Sequence, residues 1–167
     1  GVLSTISRLV IDVNRAPDSE TLVVRTCDDT PVDFNHALSP DELEHRKGVI
    51  HHGYHTGVEA VVGARLSRSP VHLISVHSFT PVWKGASRPM EIGVLFDRYP
   101  DEALRVAEAL RATGLSVELN APYSGLSGEL MYAATRHGAH FEIPYLEFEI
   151  RQDLLLSDDS IDRVTDA

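Results

Sequence analysis

The sequence has little cysteine, no long apolar run and fewer basic than acidic residues, and each shortage excludes a class of protein. Among its 167 residues Cys27 is the single cysteine, so an internal disulfide and a cysteine-rich zinc module are excluded. No apolar run is long enough to span a bilayer, and no basic-then-apolar signal stands at the front. A net charge of −10 argues against a broad surface for nucleic acid or for anionic membranes. The single cysteine favours a reducing, cytoplasmic setting.

The remaining composition is that of an ordinary globular protein. Apolar residues make up 43% and charged residues 24% of the chain, and the length suffices for one domain with a full core. The sequence shows no internal repeat, low-complexity tract or linker between domains. We therefore expect residues 1–167 to form a single α/β domain. Because Gly1 stands where an initiator methionine would be and a buried-type strand follows within a few residues, we also expect the front of the chain to be incomplete.

Apolar runs and helix signals alternate along the chain, which predicts an α/β/α sandwich of three layers with a mixed, mostly parallel sheet. Ser39 and Pro40 mark a helix start that runs towards Val49, with a break near 51–53. Segment 16–40 is predicted to be a long irregular segment that contains a short hairpin, and 78–89 is predicted to be a loop. The tail from Ser157 can begin a helix. The strands are predicted over 6–13, 71–77 (the central strand), 92–96, 116–119 and 144–151, and further helices over 54–67, 101–113 and 128–137.

The strand predicted over 71–77 ends at His77, where small polar residues and a proline follow. In open α/β sheets, chemistry collects beyond the carboxyl ends of the strands. A neutral imidazole there is a good zinc ligand, although a lone histidine in a strand is more often only hydrogen-bonded. His51 and His55, four residues apart, can also share a helix face as a metal pair, but a capping or substrate-facing role for Tyr54 and His55 fits better.

Carboxylates and arginines accompany two other predicted strands. The two-residue period places Glu147, Glu149 and Arg151 on one face, either as an ion pair that fixes the strand or with one carboxylate as a general base near a metal-bound water. Arg8 and Asp12 share a face of the first strand, where Asp12 either pairs with an arginine or binds substrate. Arginines at strand ends can hold a carboxylate or an oxyanion. This chemistry predicts metal-assisted hydrolysis of an amide in an anionic substrate.

Several motifs occur in one order along nearly the whole chain, and together they resemble the N-formylglutamate amidohydrolase family. They are Ser-Arg-Leu-Val-Ile-Asp-Val-Asn-Arg at 7–15, Ile-Ser-Val-His-Ser-Phe-Thr-Pro at 74–81, Arg-Pro at 88–89, Gly-Val-Leu at 93–95, Asn120, Pro-Tyr-Ser-Gly at 122–125 and Glu-Ile-Arg-Gln-Asp-Leu at 149–154. The resemblance implies a zinc-carboxypeptidase-like, phosphorylase/hydrolase-like α/β fold related to the aspartoacylases. It also implies a deformylase that hydrolyses a linear amide, typically N-formyl-L-glutamate to formate and glutamate in histidine catabolism.

The resemblance assigns a role to each matching residue and implies Zn²⁺ as cofactor and a small N-acyl amino acid as partner, with no nucleic acid or membrane. The assigned roles are zinc ligand for His77, activation of the zinc-bound water for Glu149, polarisation of the scissile carbonyl for Arg8, the grip on the substrate α-carboxylate for Asn14 and Arg15, and substrate binding for Arg88, Tyr123 and Arg151. The family pattern also has a strand and a histidine-bearing loop before the motif at 7–15, so the resemblance implies that these are missing here and that they supply the other zinc ligands. The alternatives are a non-catalytic module that binds N-acyl amino acids through Arg15 and Arg88, and a hydrolase of a different N-acyl amino acid.

Overall fold

The computed structural model describes residues 1–27, 29–128 and 130–167, and its contacts divide the backbone into two units. The first unit comprises Gly1–Val71 with Ala139–Phe141, and the second comprises His72–Gly138 with Glu142–Ala167. Asp28, in the segment predicted as irregular, and Glu129, in the helix predicted over 128–137, lie outside the described residues. No helix in the described ranges is both long and apolar enough to cross a membrane.

The first unit is irregular at its start and helical later. A hairpin of two short antiparallel strands, expected within segment 16–40, precedes a nearly continuous run of helix. The elements are β1 (Thr26–Cys27), β2 (Thr30–Pro31), α1 (Asp33–His36), α2 (Pro40–Arg46), a π-helical segment (Lys47–His52) and α3 (Gly53–Leu66).

The start of α2 is confirmed, but the predicted break after it is wrong. Ser39 Oγ accepts the backbone N–H of Glu42 at 3.2 Å, and Pro40 occupies the first helical position. The chain then passes through the π-helical segment directly into α3. A π-turn accommodates an extra residue while the backbone hydrogen bonds continue, so Gly48 and Gly53 do not end the helix.

The strand predicted over 6–13 is also wrong, because this segment folds as turns. Ile11 is buried, as its apolar neighbours suggested, but the nearby backbone groups find partners without a strand ladder. The N–H of Asp12 donates to the carbonyl of Leu22 at 2.8 Å, and Asp12 Oδ1 accepts the N–H of Asn14 at 2.9 Å. Side-chain bonds of this kind compete with sheet pairing. The two-residue period therefore does not apply to this segment.

The second unit contains a four-stranded sheet in the order β3-β8-β6-β7. The pairs β3–β8 and β6–β7 are parallel and β6–β8 is antiparallel, so the predicted mixed α/β sheet is confirmed. The elements of this unit are β3 (Leu73–Phe79), β4 (Val82–Trp83), β5 (Ala86–Ser87), β6 (Ile92–Leu95), α4 (Pro100–Ala112), β7 (Val117–Leu119), a 3₁₀ turn (Gly125–Ser127), α5 (Tyr132–Phe141, whose last three residues belong to the first unit), β8 (Tyr145–Arg151), a second 3₁₀ turn (Gln152–Leu155) and α6 (Asp158–Thr165).

Strand β3 was predicted to be central and buried, and both expectations are wrong for the described sheet. It lies at one edge, where Ile74 and Val76 are 50% and 61% exposed, and β8 takes a central place instead. An apolar run indicates a strand, but it does not show how many neighbours cover that strand. The prediction of the strand itself was right within two residues.

Apolar clusters on both sides of the sheet hold it to helices. On one face the cluster consists of Ile92, Val94, Ala103, Ala107, Leu115, Val117 and Leu146, which joins α4 to β6, β7 and β8. On the other face Leu95 and Tyr145 pack against Met131 and Ala134 beside α5. Gly138 is required there because a Cβ at this position would overlap the Tyr145 ring. The second face carries the odd-numbered residues of β3 and β8, including the candidate site.

Candidate functional site

Neighbouring strands place His77 and Glu149 side by side. The parallel register of β3 and β8 pairs the two residues directly, and the antiparallel register of β6 places Gly93 on the other side of Glu149. Residues paired in this way project from the same face of a sheet. The side chain of His77 is one-third exposed, whereas Glu149 is buried. The imidazole and the carboxylate that the sequence singled out therefore share one face at the same level.

A second carboxylate, Glu147, touches the imidazole directly. Oε2 of Glu147 lies 3.3 Å from Nε2 of His77, and the same nitrogen is hydrogen-bonded to Ser75 Oγ at 2.9 Å. Glu147 is only 1% exposed. The two-residue period put Glu147 on the correct face, but a contact with His77 was not predicted, and Ser75 was not predicted as a site residue. The register between β3 and β8 was the missing information, because the two-residue period fixes a face and not a distance.

The backbone after β7 approaches this face closely over Gly93. A Cβ at Gly93 would overlap the carbonyl oxygen of Ala121, so only glycine allows the approach. Asn120 has φ of 50°, and its Oδ1 accepts the N–H groups of Phe96 at 3.0 Å and of Gly125 at 3.1 Å. The asparagine side chain thus fixes the turn that presents Tyr123.

Arg88 and Tyr123, both predicted to bind substrate, are in contact. Nη1 of Arg88 lies 3.4 Å from the Tyr123 hydroxyl, and also 3.4 Å from the carbonyl and the hydroxyl of Thr80. The guanidinium carbon is 5.2 Å from the ring centroid of Tyr123, 5.5 Å from that of Trp83 and 5.8 Å from that of Phe79. Trp83 and Phe79 were not predicted as site residues.

Arg151, the third residue predicted to bind substrate, is engaged in the fold. Its Nε and Nη2 donate to the Asp153 carboxylate at 2.7 and 3.1 Å, and its Nη1 donates to the carbonyl of Pro89 at 2.9 Å. This hydrogen bonding raises the pKa of Arg151 and lowers the pKa of Asp153. The ion pair foreseen with a glutamate of β8 is therefore made with Asp153 instead. Arg151 ties the end of β8 to the segment that carries Arg88, and its role towards substrate stays a prediction.

In the first unit, Asp12 organises the segment that carries Arg8, Asn14 and Arg15. Nη2 of Arg8 lies 3.1 Å from Asp12 Oδ2, although the Arg8 side chain is 63% exposed. The other oxygen of Asp12 accepts the N–H of Asn14. Nη1 of Arg15 donates to the carbonyl of Asn14 at 2.9 Å, and its Nε donates to Thr21 Oγ1 at 3.2 Å. Of the two roles considered for Asp12, the structure thus shows the pairing with an arginine.

His51 and His55 hold this same segment from the helical side. Nε2 of His51 is hydrogen-bonded to the carbonyl of Arg15 at 2.8 Å, and Nε2 of His55 to the carbonyl of Val13 at 3.1 Å. Both side chains are buried, and their ring centroids are 4.5 Å apart. Bonds to backbone carbonyls favour a positioning role over a metal pair. The π-helical segment that ends at His52 brings the two rings together, and π-turns recur at functional sites.

A zinc site of three protein ligands is not complete in the part of the chain that the structure describes. Over residues 1–27, 29–128 and 130–167, no group of three or more histidine, cysteine, aspartate or glutamate side chains is arranged to hold a metal ion. A zinc site that can act on substrate uses three protein ligands and an open position. His77 can supply one of these ligands.

Comparisons with known proteins agree with the motifs. A model of the N-formylglutamate amidohydrolase family matches residues 1–156. A solved structure of the gene product Atu2144 from Agrobacterium tumefaciens is similar with a TM-score of 0.83 and 28% identity, over 96% of this chain and 64% of that one. A structure titled N-formylglutamate amidohydrolase from Ralstonia eutropha JMP134 is similar with a TM-score of 0.68 and 21% identity, over 90% of this chain and 63% of that one.

The chain thus spans less than two thirds of the length of these two proteins. No curated protein matches it. The structural similarity to the Ralstonia protein, at 21% identity, shows a common fold, whereas the family match rests on the sequence itself and covers nearly the whole chain. Because that match extends over residues 1–156, the chain belongs to the N-formylglutamate amidohydrolase family.

Proposed function

We propose that the protein is a zinc-dependent amidohydrolase that removes a formyl or related acyl group from the nitrogen of an acidic amino acid, such as N-formyl-L-glutamate. The observation that carries the proposal is the direct pairing of His77 with Glu149 on one face of the sheet. Family membership supports the reaction class. Apolar clusters on both faces of the sheet support a three-layer, zinc-carboxypeptidase-like architecture.

In this proposal Glu149 moves the proton. Its carboxylate takes a proton from a water molecule whose oxygen attacks the formyl carbon. The carboxyl group then gives the proton to the amine nitrogen as the carbon–nitrogen bond breaks, so the products are formate and the free amino acid. A positioned carboxylate of this kind contributes about 10²–10⁴-fold to a rate. Burial of Glu149 beside β6 keeps bulk water away from the proton that it holds.

His77 is proposed as one zinc ligand, and Glu147 with Ser75 as the groups that orient its ring. When bound, Zn²⁺ polarises a carbonyl and lowers the pKa of a water molecule. A carboxylate beside the second nitrogen of a metal-binding histidine commonly fixes the orientation of the ring. The contacts of His77 Nε2 at 2.9 and 3.3 Å support this arrangement.

The substrate carboxylates are assigned to arginines. Arg88 beside Tyr123 is proposed to bind one of them. For the first unit, taken by itself, the roles implied by the resemblance stay predictions: Asn14 and Arg15 for an α-carboxylate and Arg8 for a scissile carbonyl. Forked hydrogen bonds from a guanidinium suit a carboxylate better than a point charge does. Arg8 must exchange its contact with Asp12 for substrate, which its exposure permits.

Formate release from N-formyl-L-glutamate by the zinc-loaded protein tests the proposal, with N-formyl-L-leucine as a substrate that lacks the side-chain carboxylate. We expect release from the first substrate, at a kcat/KM well above that for the second. Absence of release from either substrate, with N-formyl-L-glutamate still bound in calorimetry, contradicts the proposal and favours the non-catalytic binding module.

A further inference from the structure

We infer that Trp83 is a specificity-determining residue that, together with Phe79 and Tyr123, holds the Arg88 guanidinium as a binding site for a carboxylate. We call these three rings the aromatic frame. All four side chains belong to the second unit, and the guanidinium carbon lies between 5.2 and 5.8 Å from each ring centroid. These distances fall within the range of cation–π attraction.

The positive charge of Arg88 lies against aromatic rings and is not neutralised by a carboxylate among the residues that the structure describes. Arg88 is half-buried, yet it forms no ion pair with a carboxylate in the described ranges. By contrast, Arg151 and Arg163 nearby in the same unit each hold a carboxylate with two nitrogens. The hydrogen bonds of the Arg88 guanidinium within the described part of the chain are all 3.4 Å long, and all of them involve Nη1. Ring faces stabilise a guanidinium without using its in-plane N–H groups, which therefore stay suited to an anion.

A short hairpin sets the position of Trp83 relative to Arg88. Strands β4 and β5 pair through Trp83 and Ala86, and the turn residues Lys84 and Gly85 have φ of 48° and 80°. Positive φ at both positions is typical of a type I′ turn, one of the favoured two-residue hairpin turns. The backbone N–H of Arg88 then donates to the carbonyl of Pro81 at 2.9 Å, which closes the base of the hairpin.

The ligand class follows from charge and shape. A guanidinium without a carboxylate partner selects a planar anion, and a carboxylate matches its fork. The ammonium of Lys84, 5.9 Å from the Trp83 ring centroid, adds a second positive charge beside the frame. The inference rests on the proposed function, because it assigns the carboxylate bound by Arg88 to the amide substrate. Trp83, half-exposed, is the frame residue that faces solvent most and can contact the ligand chain.

Fluorescence gives a test that needs no turnover, because Trp83 is the only tryptophan of the chain. We expect glutarate to change the emission of Trp83 in a saturable way, and glutaramide, of similar size but uncharged, to leave it unchanged. Arg88→Gln should weaken glutarate binding at least about tenfold, because the charged fork is lost. Val82→Ala, a change at an exposed neighbour outside the frame, should keep the wild-type response.

Calorimetry with glutarate then tests the ring itself. Trp83→Ala should weaken binding about two- to fivefold, the range of one cation–π contact, and Trp83→Phe should restore most of it. An unchanged emission with glutarate, an equal response in Arg88→Gln, or full affinity in Trp83→Ala overturns the inference. Saturable glutarate binding without formate release supports the carboxylate site and refutes the amidohydrolase. Formate release without a response of Trp83 supports the amidohydrolase and refutes the carboxylate site at Arg88.

Discussion

At the scale of single residues, the second unit buries two carboxylates. Glu147 and Glu149 are almost fully buried in β8. Burial of a carboxylate is costly unless polar neighbours compensate, and His77 lies within 3.3 Å of Glu147. A hydrophobic residue at either position would serve a sheet equally well. Two buried acids beside an imidazole therefore favour a chemical role over a structural one.

Tyr145 offers a residue-scale prediction about pH. Its ring is buried, and its hydroxyl donates to Asp97 Oδ2 at 2.9 Å. Burial, and next the hydrogen bond to Asp97, raise the pKa of Tyr145 from 10.0 to about 12. A raised pKa in the folded state means that the stability linked to Tyr145 is complete below pH 10.0 and is lost as the pH rises towards about 12.

An absorbance titration of the phenolate measures this pKa. The wild-type curve minus that of Tyr145→Phe, which keeps the ring that packs on Gly138, should have its midpoint near 12. Tyr132→Phe, a change of a partly exposed tyrosine on α5, is the control and should leave the high-pH transition in place. A difference curve centred at 10.0 shows instead that Tyr145 titrates like a solvated tyrosine.

At the scale of elements, β8 is the strand on which the site depends. It has a parallel neighbour in β3 and an antiparallel neighbour in β6, and it carries both buried glutamates. The close approach of the backbone over Gly93 then fills the space on the other side of Glu149. A change at Gly93 therefore tests the packing of the site without removing any of its polar groups.

Gly93→Ala should destabilise the protein by about 1–3 kcal/mol, because the added methyl group overlaps the carbonyl of Ala121. Urea unfolding measures the loss. Gly48→Ala is the matched control: its Cβ meets nothing within 4 Å, and a helical alanine should leave stability unchanged or raise it by up to about 1 kcal/mol. Equal unfolding midpoints for the wild type and Gly93→Ala contradict the described packing.

The attachment of α6 gives a second prediction at this scale. Nη1 and Nη2 of Arg163 donate to the two carboxylate oxygens of Glu91 at 2.7 and 3.0 Å, and Glu91 also accepts the N–H of Ser116. The bond from Arg163 is the main reason why the pKa of Glu91 is lowered from 4.5. A lowered pKa adds stability above pH 4.5 that is lost as the pH falls through the pKa in the folded state.

Arg163→Gln should therefore lower the thermal midpoint near neutral pH and flatten the fall of stability on the acid side. Arg105→Gln is the control: it removes an arginine from an exposed pair with Glu102 on α4, and exposed pairs of this kind contribute little to stability. Thermal scans from neutral pH to below pH 4.5 compare the three proteins. If the thermal midpoint falls equally steeply with falling pH in Arg163→Gln and in the wild type, the pair of Arg163 and Glu91 does not cause the loss of stability in acid.

The same elements show how far the sequence could be interpreted. Strand and helix signals located β3, β6, β7, β8, α3 and α4 within about two residues, and they indicated the start of α6, because apolar runs and caps are local features. The helix predicted over 128–137 lies four residues later, at Tyr132–Phe141. The turns at 6–13 and the edge position of β3 were not predicted, since both depend on which distant segments of the chain supply hydrogen-bond partners to the backbone. For the site, the sequence singled out His77 and Glu149, whereas their direct pairing, the contacts of Glu147 and the aromatic frame required the strand register and the hairpin.

At the scale of the whole molecule, charge and family point to the same kind of ligand by different routes. The chain carries a net charge of −10, so an anionic substrate is repelled at long range and must be bound by local cations. Arg88 and Lys84 provide such a local positive region in the second unit. Membership of the N-formylglutamate amidohydrolase family supports an acidic N-acyl amino acid as the ligand to try first.

The central claim is that His77 and Glu149 act together, the histidine on zinc and the glutamate on the proton. It predicts different losses for His77→Ala and Glu149→Gln. His77→Ala should lower the zinc content measured by atomic emission, whereas Glu149→Gln should keep the wild-type zinc content and unfolding midpoint. Glu108→Gln, an exposed change on α4, is the control for both and should resemble the wild type.

Turnover of N-formyl-L-glutamate by Glu149→Gln is the most direct test. The account predicts that kcat falls by at least about 10²-fold while zinc content is unchanged, because the proton acceptor alone is lost. Near-normal kcat in this variant contradicts the account.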